Sequence, residues 1–178
     1  MVLTSFLFDV FSSFVASLIF LFAVLFLFKP LIRVSPFICK NQSEFQNEGM
    51  VYCIKIVNIS LFTAYEIKME LSVLERYPTP PSGMTNKRMR PLKLVLDSYS
   101  NLSGFRPQWL RKEADHCLRF RTKEDLNAII QDPHKSIHVQ IMVRHGLTGL
   151  ASVFTQEYSD LNQIREGKFA YGTKFDIM

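Results

Sequence analysis

The residues of this 178-residue chain best suited to metal ligation or nucleophilic attack are four histidines and three cysteines. Their spacing builds neither chemistry. His116, His134, His138 and His145 contain no H-E-x-x-H pair. Cys39, Cys53 and Cys117 contain no C-x₂₋₄-C pair of the kind that holds structural zinc. Three cysteines without repeated spacing do not make a disulfide framework, and they suit a reducing compartment. His116 and Cys117 are adjacent, but neighbouring side chains on a strand point to opposite faces and cannot share a Cys–His site. There is no G-x-S-x-G elbow, no Walker A loop, no G-x-G-x-x-G and no DFG-like set. Glu113, Asp115, Glu124 and Asp125 read as surface and helix-start acids. The expectation is a non-enzymatic protein with no catalytic residues, no cofactor and no metal.

The basic residues cluster more than the acids do. Lys87, Arg88 and Arg90 stand with Lys93, Arg106 with Arg111 and Lys112, and Arg119 with Arg121 and Lys123. Together with Lys29 and Arg33 they could rest on anionic lipid, where each charge near the surface is worth about 1 kcal/mol. The plain alternative is a solvated surface. A basic loop pocket for a small phosphate ligand is a further option. Nucleic acid is not expected, because no aromatic-basic interleaving of the RNP kind is present.

These residues are positioned by two very different parts. Phe6 to Phe28 is a 23-residue apolar run with one charge, Asp9. As a helix it would span roughly 34 Å, against a bilayer core of about 30 Å. No basic residue precedes it, it is longer than the apolar core of a secretory signal, and Lys29-Pro30-Leu31-Ile32-Arg33 offers no small-residue cleavage site. It therefore predicts an uncleaved single-pass anchor. Lys29, Arg33 and Lys40 follow the span and only Asp9 lies before its centre, so the positive-inside rule puts the C-terminal part in the cytoplasm. Three N-x-S sequons, at Asn41, Asn58 and Asn101, would accept glycan only in a secretory lumen. Within the run, Ser12 with Ala16 and Ser13 with Ser17 form two small-x-x-x-small pairs that allow helix–helix contact. The division expected is an anchor and basic flank over residues 1–33 and one soluble domain over 34–178. All 21 basic residues and 15 of the 16 acidic ones lie beyond the span, leaving that part at +6.

The soluble part alternates with period two, the mark of half-buried strands. Tyr65, Ile67, Met69, Leu71 and Val73 form one set, and Tyr52, Ile54 and Ile56 form another against Cys53, Lys55 and Val57. Leu92, Leu94 and Leu96 follow, then Leu118 and Phe120. Ile137, Val139, Ile141 and Val143 lead through a turn at His145–Gly149 to a return strand, Leu150–Tyr158. Thr122 as cap with acids behind it predicts one short helix over Lys123–Gln131. Tyr77–Arg90 and Ser98–Lys112, which holds Trp109, read as loops. The sum is an all-β domain, an antiparallel immunoglobulin-like β-sandwich with one short helix. A small closed barrel is the competing architecture.

Ile54-Lys-Ile-Val57-Asn58 stands before the alternating Ala64–Leu74, and the strand Ile137–Val143 is followed by Leu147-Thr148-Gly149, Val153–Tyr158 and Tyr171-Gly172-Thr173-Lys174-Phe175. In this order the segments resemble the immunoglobulin-like cytoplasmic domain of inward-rectifier potassium channels. The likeness covers roughly residues 50 to 177 and implies that fold and a tendency to oligomerise. It does not extend to conduction, because there is no second span, pore helix or T-x-G-Y-G-like filter. Two functions follow as expectations. One is a membrane-bound binding or scaffold module for a protein partner or a second copy. The other is an oligomerising effector, as in bacterial antiviral systems, whose head senses a ligand and whose helices disrupt the bilayer.

Overall fold

The computed structural model describes residues 2–27, 29–42, 49–79, 84–107, 114–146 and 149–178. The apolar run forms helix α1, Val2–Leu27, of 26 residues. It is about 39 Å long, and the stretch Phe8–Leu25 buries none of its residues against the rest of the chain. It has the length and composition to cross a bilayer. Inside it, the Ser17 hydroxyl donates to the Ser13 carbonyl at 2.9 Å, so that polar group is satisfied without leaving the helix. Phe6 lies within α1, and Phe28 lies outside the described residues.

Beyond Lys29 the chain is mostly strand. The described strands are β1 Ile32–Val34, β2 Ile38–Gln42, β3 Met50–Asn58, β4 Ala64–Thr79, β5 Met84–Leu92, β6 Ser98–Leu102, β7 Cys117–Thr122, β8 Lys135–His145, β9 Ala151–Tyr158 and β10 Ile164–Glu166. In one sheet β3 is central, with β1 and β2 along one edge, β7 along the other, and β10 outside β2. In the other β4 is central, with β8 and then β9 on one side and β5 and β6 on the other. Ile38, Ile54, Ile56 and Phe120 from the first sheet meet Ile67, Met69, Leu71, Ile137, Val139, Ile141 and Val143 from the second in one core. The first strand starts at Ile32, which is buried in that core, so the head already includes Ile32 and Arg33.

Several expectations need correction. The pairing is not purely antiparallel, because β10 lies parallel to β2. A single 3₁₀ turn, Leu161–Gln163, capped reciprocally by Asp160 and Gln163, carries the chain from β9 across to the other sheet. Tyr65 does not share the packed face of Ile67. The register slips between Tyr65 and Lys68, Glu66 takes φ 48°, and Tyr65 turns outward over Gly146. A Cβ on Gly146 would lie 2.3 Å from the Tyr65 ring, so any larger residue there would displace that exposed tyrosine. Much of the stretch expected as a loop over Tyr77–Arg90 is hairpin, with Thr79 opposite Met84 and Val73 opposite Arg90. Pro78 and Pro91 do not break it, because Pro78 lies past the reach of β8 and Pro91 sits on an edge strand, while Pro80, Pro81 and Gly83 lie outside the described residues. The second expected loop contains β6, whose polar sequence SYSNL carries no clear alternation. Of Leu92, Leu94 and Leu96, only Leu92 is in a strand. The next residues bridge the sheets, with Val95 N–H donating to the Arg121 carbonyl and Met69 N–H to that of Asp97. The short helix, α2, is Leu126–Ile130 and its cap is Asp125, which accepts the N–H groups of Asn127 and Ala128. Thr122 stays in β7 and donates to the Lys93 carbonyl.

Candidate functional site

Side chains alternate along β3, and both of its faces are buried. Tyr52, Ile54 and Ile56 face the core, while Val51, Cys53, Lys55 and Val57 lie on the outer face. The expected solvent face is covered because residues 167–178 fold back across it. Lys168 and Met178 exchange backbone hydrogen bonds, and Ala170 N–H donates to the Asp176 carbonyl, closing this segment on itself. Phe169 then packs on Cys39, Val51 and Cys53.

The outer face of the sheet holds this segment by its carbonyls. The Lys55 Nζ donates to the carbonyls of Ala170 and Lys174, both at 2.7 Å, and lies 5.9 Å from the Phe169 ring centre. Cys117 Sγ donates to the Gly172 carbonyl at 3.1 Å, Cys39 Sγ to that of Gly167 at 2.6 Å, and Arg119 to that of Phe169 at 3.3 Å. Lys55 is only 1% exposed. Burial lowers its pKa, the Cys117 thiol opposes that shift, and the Arg119 cation adds to it. The Cys117 thiol is raised by burial, against the pull of Lys55 and Arg119, so it is held as a thiol and not as an activated nucleophile.

Beside this clamp is a cleft of about 570 Å³, lined by Phe105, Arg106, Pro107, Ala114, His116 and residues 170–174. That volume is within the usual range for a small-molecule site. His116 is 7% exposed and its ring meets Phe105 edge-on at 5.5 Å. Its Nε2 has no hydrogen-bond partner among the described residues. Burial lowers the His116 pKa, Asp115 opposes the shift and Lys55 adds to it, so the ring is neutral near pH 7. Arg106 and Lys174 are exposed on the cleft lining. A smaller groove of about 400 Å³ adjoins it, shared by Lys55, Cys117, Arg119, Arg121, Tyr171 and Gly172 among others. The arrangement can receive an anionic or aromatic group between two cations and a buried imidazole.

The residues singled out in the sequence are dispersed. Lys87, Arg88 and Arg90 are exposed on β5, opposite Arg76, Glu75 and Val73 of β4. The chain enters the head at the other end of β4, near Ala64, because Ile59 N–H donates to the Leu31 carbonyl. At about 3.3 Å per residue, those three cations stand roughly 30–40 Å from the entry point along the strand. Lys29 and Arg33 are exposed at the entry, with Arg33 5.7 Å from the Phe175 ring centre. Trp109, Arg111 and Lys112 lie outside the described residues. Ser12, Ser13, Ala16 and Ser17 are exposed on α1. His134 and His138 are four residues apart, but His134 precedes β8 and His138 is within it, so no helical face joins them. Among the described residues no three of His, Cys, Asp and Glu converge as a metal site. The Asn58 side chain is buried, donating to the carbonyls of Phe62, Leu102 and Ser103, whereas Asn101 is exposed.

Lys55 was not foreseen as a site residue. The available signal was that Val51 and Val57 flank it on a face expected to be wet. No family model matches the chain, and no curated protein does. A solved structure described as the X-ray structure of Northeast Structural Genomics Consortium target SoR45 is similar to it. The likeness covers 79% of this chain and 95% of that one, with 10% sequence identity and a TM-score of 0.37.

Proposed function

We propose that this chain is a single-pass membrane protein whose β head, of the immunoglobulin-like sandwich class, is a non-catalytic binding module on the cytoplasmic side. The observation that carries this is the unburied Phe8–Leu25 stretch, which leaves a predominantly apolar helix without a partner in its own head. Lys29 and Arg33 after it, against Asp9 before its centre, favour a cytoplasmic head. The likeness to the cytoplasmic domain of inward-rectifier channels belongs to the same proposal and adds no conduction. The cleft beside His116 takes a small phosphate-bearing ligand between Arg106 and Lys174, and the rest of the surface serves a protein partner.

Alkaline carbonate should leave the chain in the membrane pellet, and a C-terminal tag should be reached only after the membrane is opened. Release by carbonate would refute the anchor. Tag labelling on intact cells would refute the orientation. Inorganic pyrophosphate should raise the melting temperature of the intact chain and lose that effect in Arg106→Gln with Lys174→Gln. An unchanged response in that double variant would empty the cleft of its role.

A second reading has its own support in the exposed Ser12, Ser13, Ala16 and Ser17. On this reading the helices associate through that small-residue side and disturb the bilayer when the head binds ligand. Growth arrest on overexpression, abolished by Ser13→Leu with Ser17→Leu, would favour it. A strict monomer in mild detergent, with or without ligand, would remove it.

A further inference from the structure

The end of the head beside the helix carries an apolar crown that the described chain leaves exposed. α1 ends at Leu27, and Leu31 accepts the Ile59 N–H at 2.9 Å. Four residues of chain reach at most about 14 Å, so the loop after β3 lies close to the helix end. Pro30 in this link is buried, which leaves little slack. On that loop and link, Leu61 is 78% exposed, Leu31 48% and Ile59 39%. Leu150, also exposed, belongs to the same end, since its carbonyl accepts the His145 N–H and His145 pairs with Ala64.

The loop that presents Leu61 is fixed. Asn58 donates to three carbonyls around it and accepts both the N–H and the hydroxyl of Ser60. Phe105 N–H donates to the Ser60 carbonyl at 2.7 Å. Gly104 presses on the loop so closely that a Cβ would stand 2.3 Å from the Leu61 carbonyl oxygen. A leucine held out by ordered backbone leaves apolar area in water, where each Å² forgoes about 25 cal/mol of burial. Exposed Lys29 and Arg33 stand on the same entry segment.

We propose that this crown is seated in the headgroup boundary of the bilayer that α1 crosses, so that Leu61, Ile59 and Leu31 hold the head against the membrane. This rests on the anchor proposed above. Exposed aliphatic side chains with two cations, Lys29 and Arg33, on the adjoining entry segment match that boundary, the former meeting acyl carbon and the latter lipid phosphate. The basic hairpin of β5 is then held at the far end of the head, away from lipid.

The test uses the full-length chain in nanodiscs of phosphatidylcholine and phosphatidylglycerol, with bromine on the acyl chains. Leu18→Trp, Leu61→Trp and Met89→Trp are made one at a time, and the parent's Trp109 signal is subtracted. Trp at 61 should be blue-shifted and quenched towards the level of Trp at 18, and Trp at 89 should show neither. Quenching at 18 with none at 61 would overturn the seating and leave the anchor intact. No quenching at 18 would overturn both. A blue shift at 61 without quenching, growing with the number of chains per disc, would give the crown to a second copy and also overturn the proposal.

Discussion

Lys55→Met removes the cation that pins the C-terminal segment while keeping most of the side chain's volume. Two charge-assisted hydrogen bonds, to Ala170 and Lys174, are lost. Each is worth about 1.5–3 kcal/mol in its native setting. The opposing effect is solvation. The Lys55 pKa is lowered chiefly by burial, so its contacts do not fully return the hydration it gave up, and methionine relieves that deficit. What remains is the Ala170 carbonyl, buried and without its donor, at about 1–3 kcal/mol; Lys174 is exposed and water can serve its carbonyl. The net loss should be about 1–3 kcal/mol, a fall in melting temperature of roughly 3–10 °C for a chain of this size. Thermal denaturation in detergent micelles measures it, and limited proteolysis should cut residues 167–178 sooner. The pH dependence supplies a separate check. With its folded pKa below the ordinary 10.5, Lys55 makes the unfolded chain bind more protons in that window, so stability rises with pH across it. That rise should shrink in the variant. A Lys55→Met variant as stable and as protease-resistant as the parent would refute the clamp.

Tyr158→Phe should cost about 1–3 kcal/mol, read by the same melt. The Tyr158 hydroxyl donates to the Ser35 carbonyl at 2.5 Å, both residues are fully buried, and the bond joins β9 to the opposite sheet. Stability should fall as pH drops below about 6.5, because burial lowers the folded pKa values of His116 and His145 and the unfolded chain takes protons first. His116→Gln should flatten part of that slope in urea titrations at pH 7 and pH 5. Below about 3.8, the ordinary value of an unfolded aspartate, a further loss should follow, since Asp125 is held low by the Tyr52 hydroxyl and protonation surrenders that contribution. If the chain is forced into a secretory lumen by a signal sequence, Asn101 should gain glycan and Asn58 should not, as judged by gel shift after glycosidase treatment. Modification at Asn58 would mean that its loop opens.

The parts of this fold that were legible in the sequence are those whose cause is local. A continuous apolar run specifies α1 whatever surrounds it, and Ile137–Val143 alternates because one face of β8 meets the core and the other does not. β6 and the hairpin around Thr79 were illegible for the complementary reason. Their sequences carry turn-formers and polar residues, and they become strands because β4 offers an edge to pair with. The candidate site was harder still. Alternation around Lys55 assigns it to water, and by local rules that is right. It is buried because Ala170 and Lys174, more than a hundred residues later, return to that face. Once covered, a lysine there is tolerable only if carbonyls meet its three donors, and a segment that turns on itself at Gly172 brings two of them. The same return builds one wall of the cleft beside His116, which is why the basic clusters named from the sequence held Arg106 but not its partner across the cleft, Lys174. Arg106 and Lys174 are 68 positions apart, and a count of neighbouring charges cannot pair them.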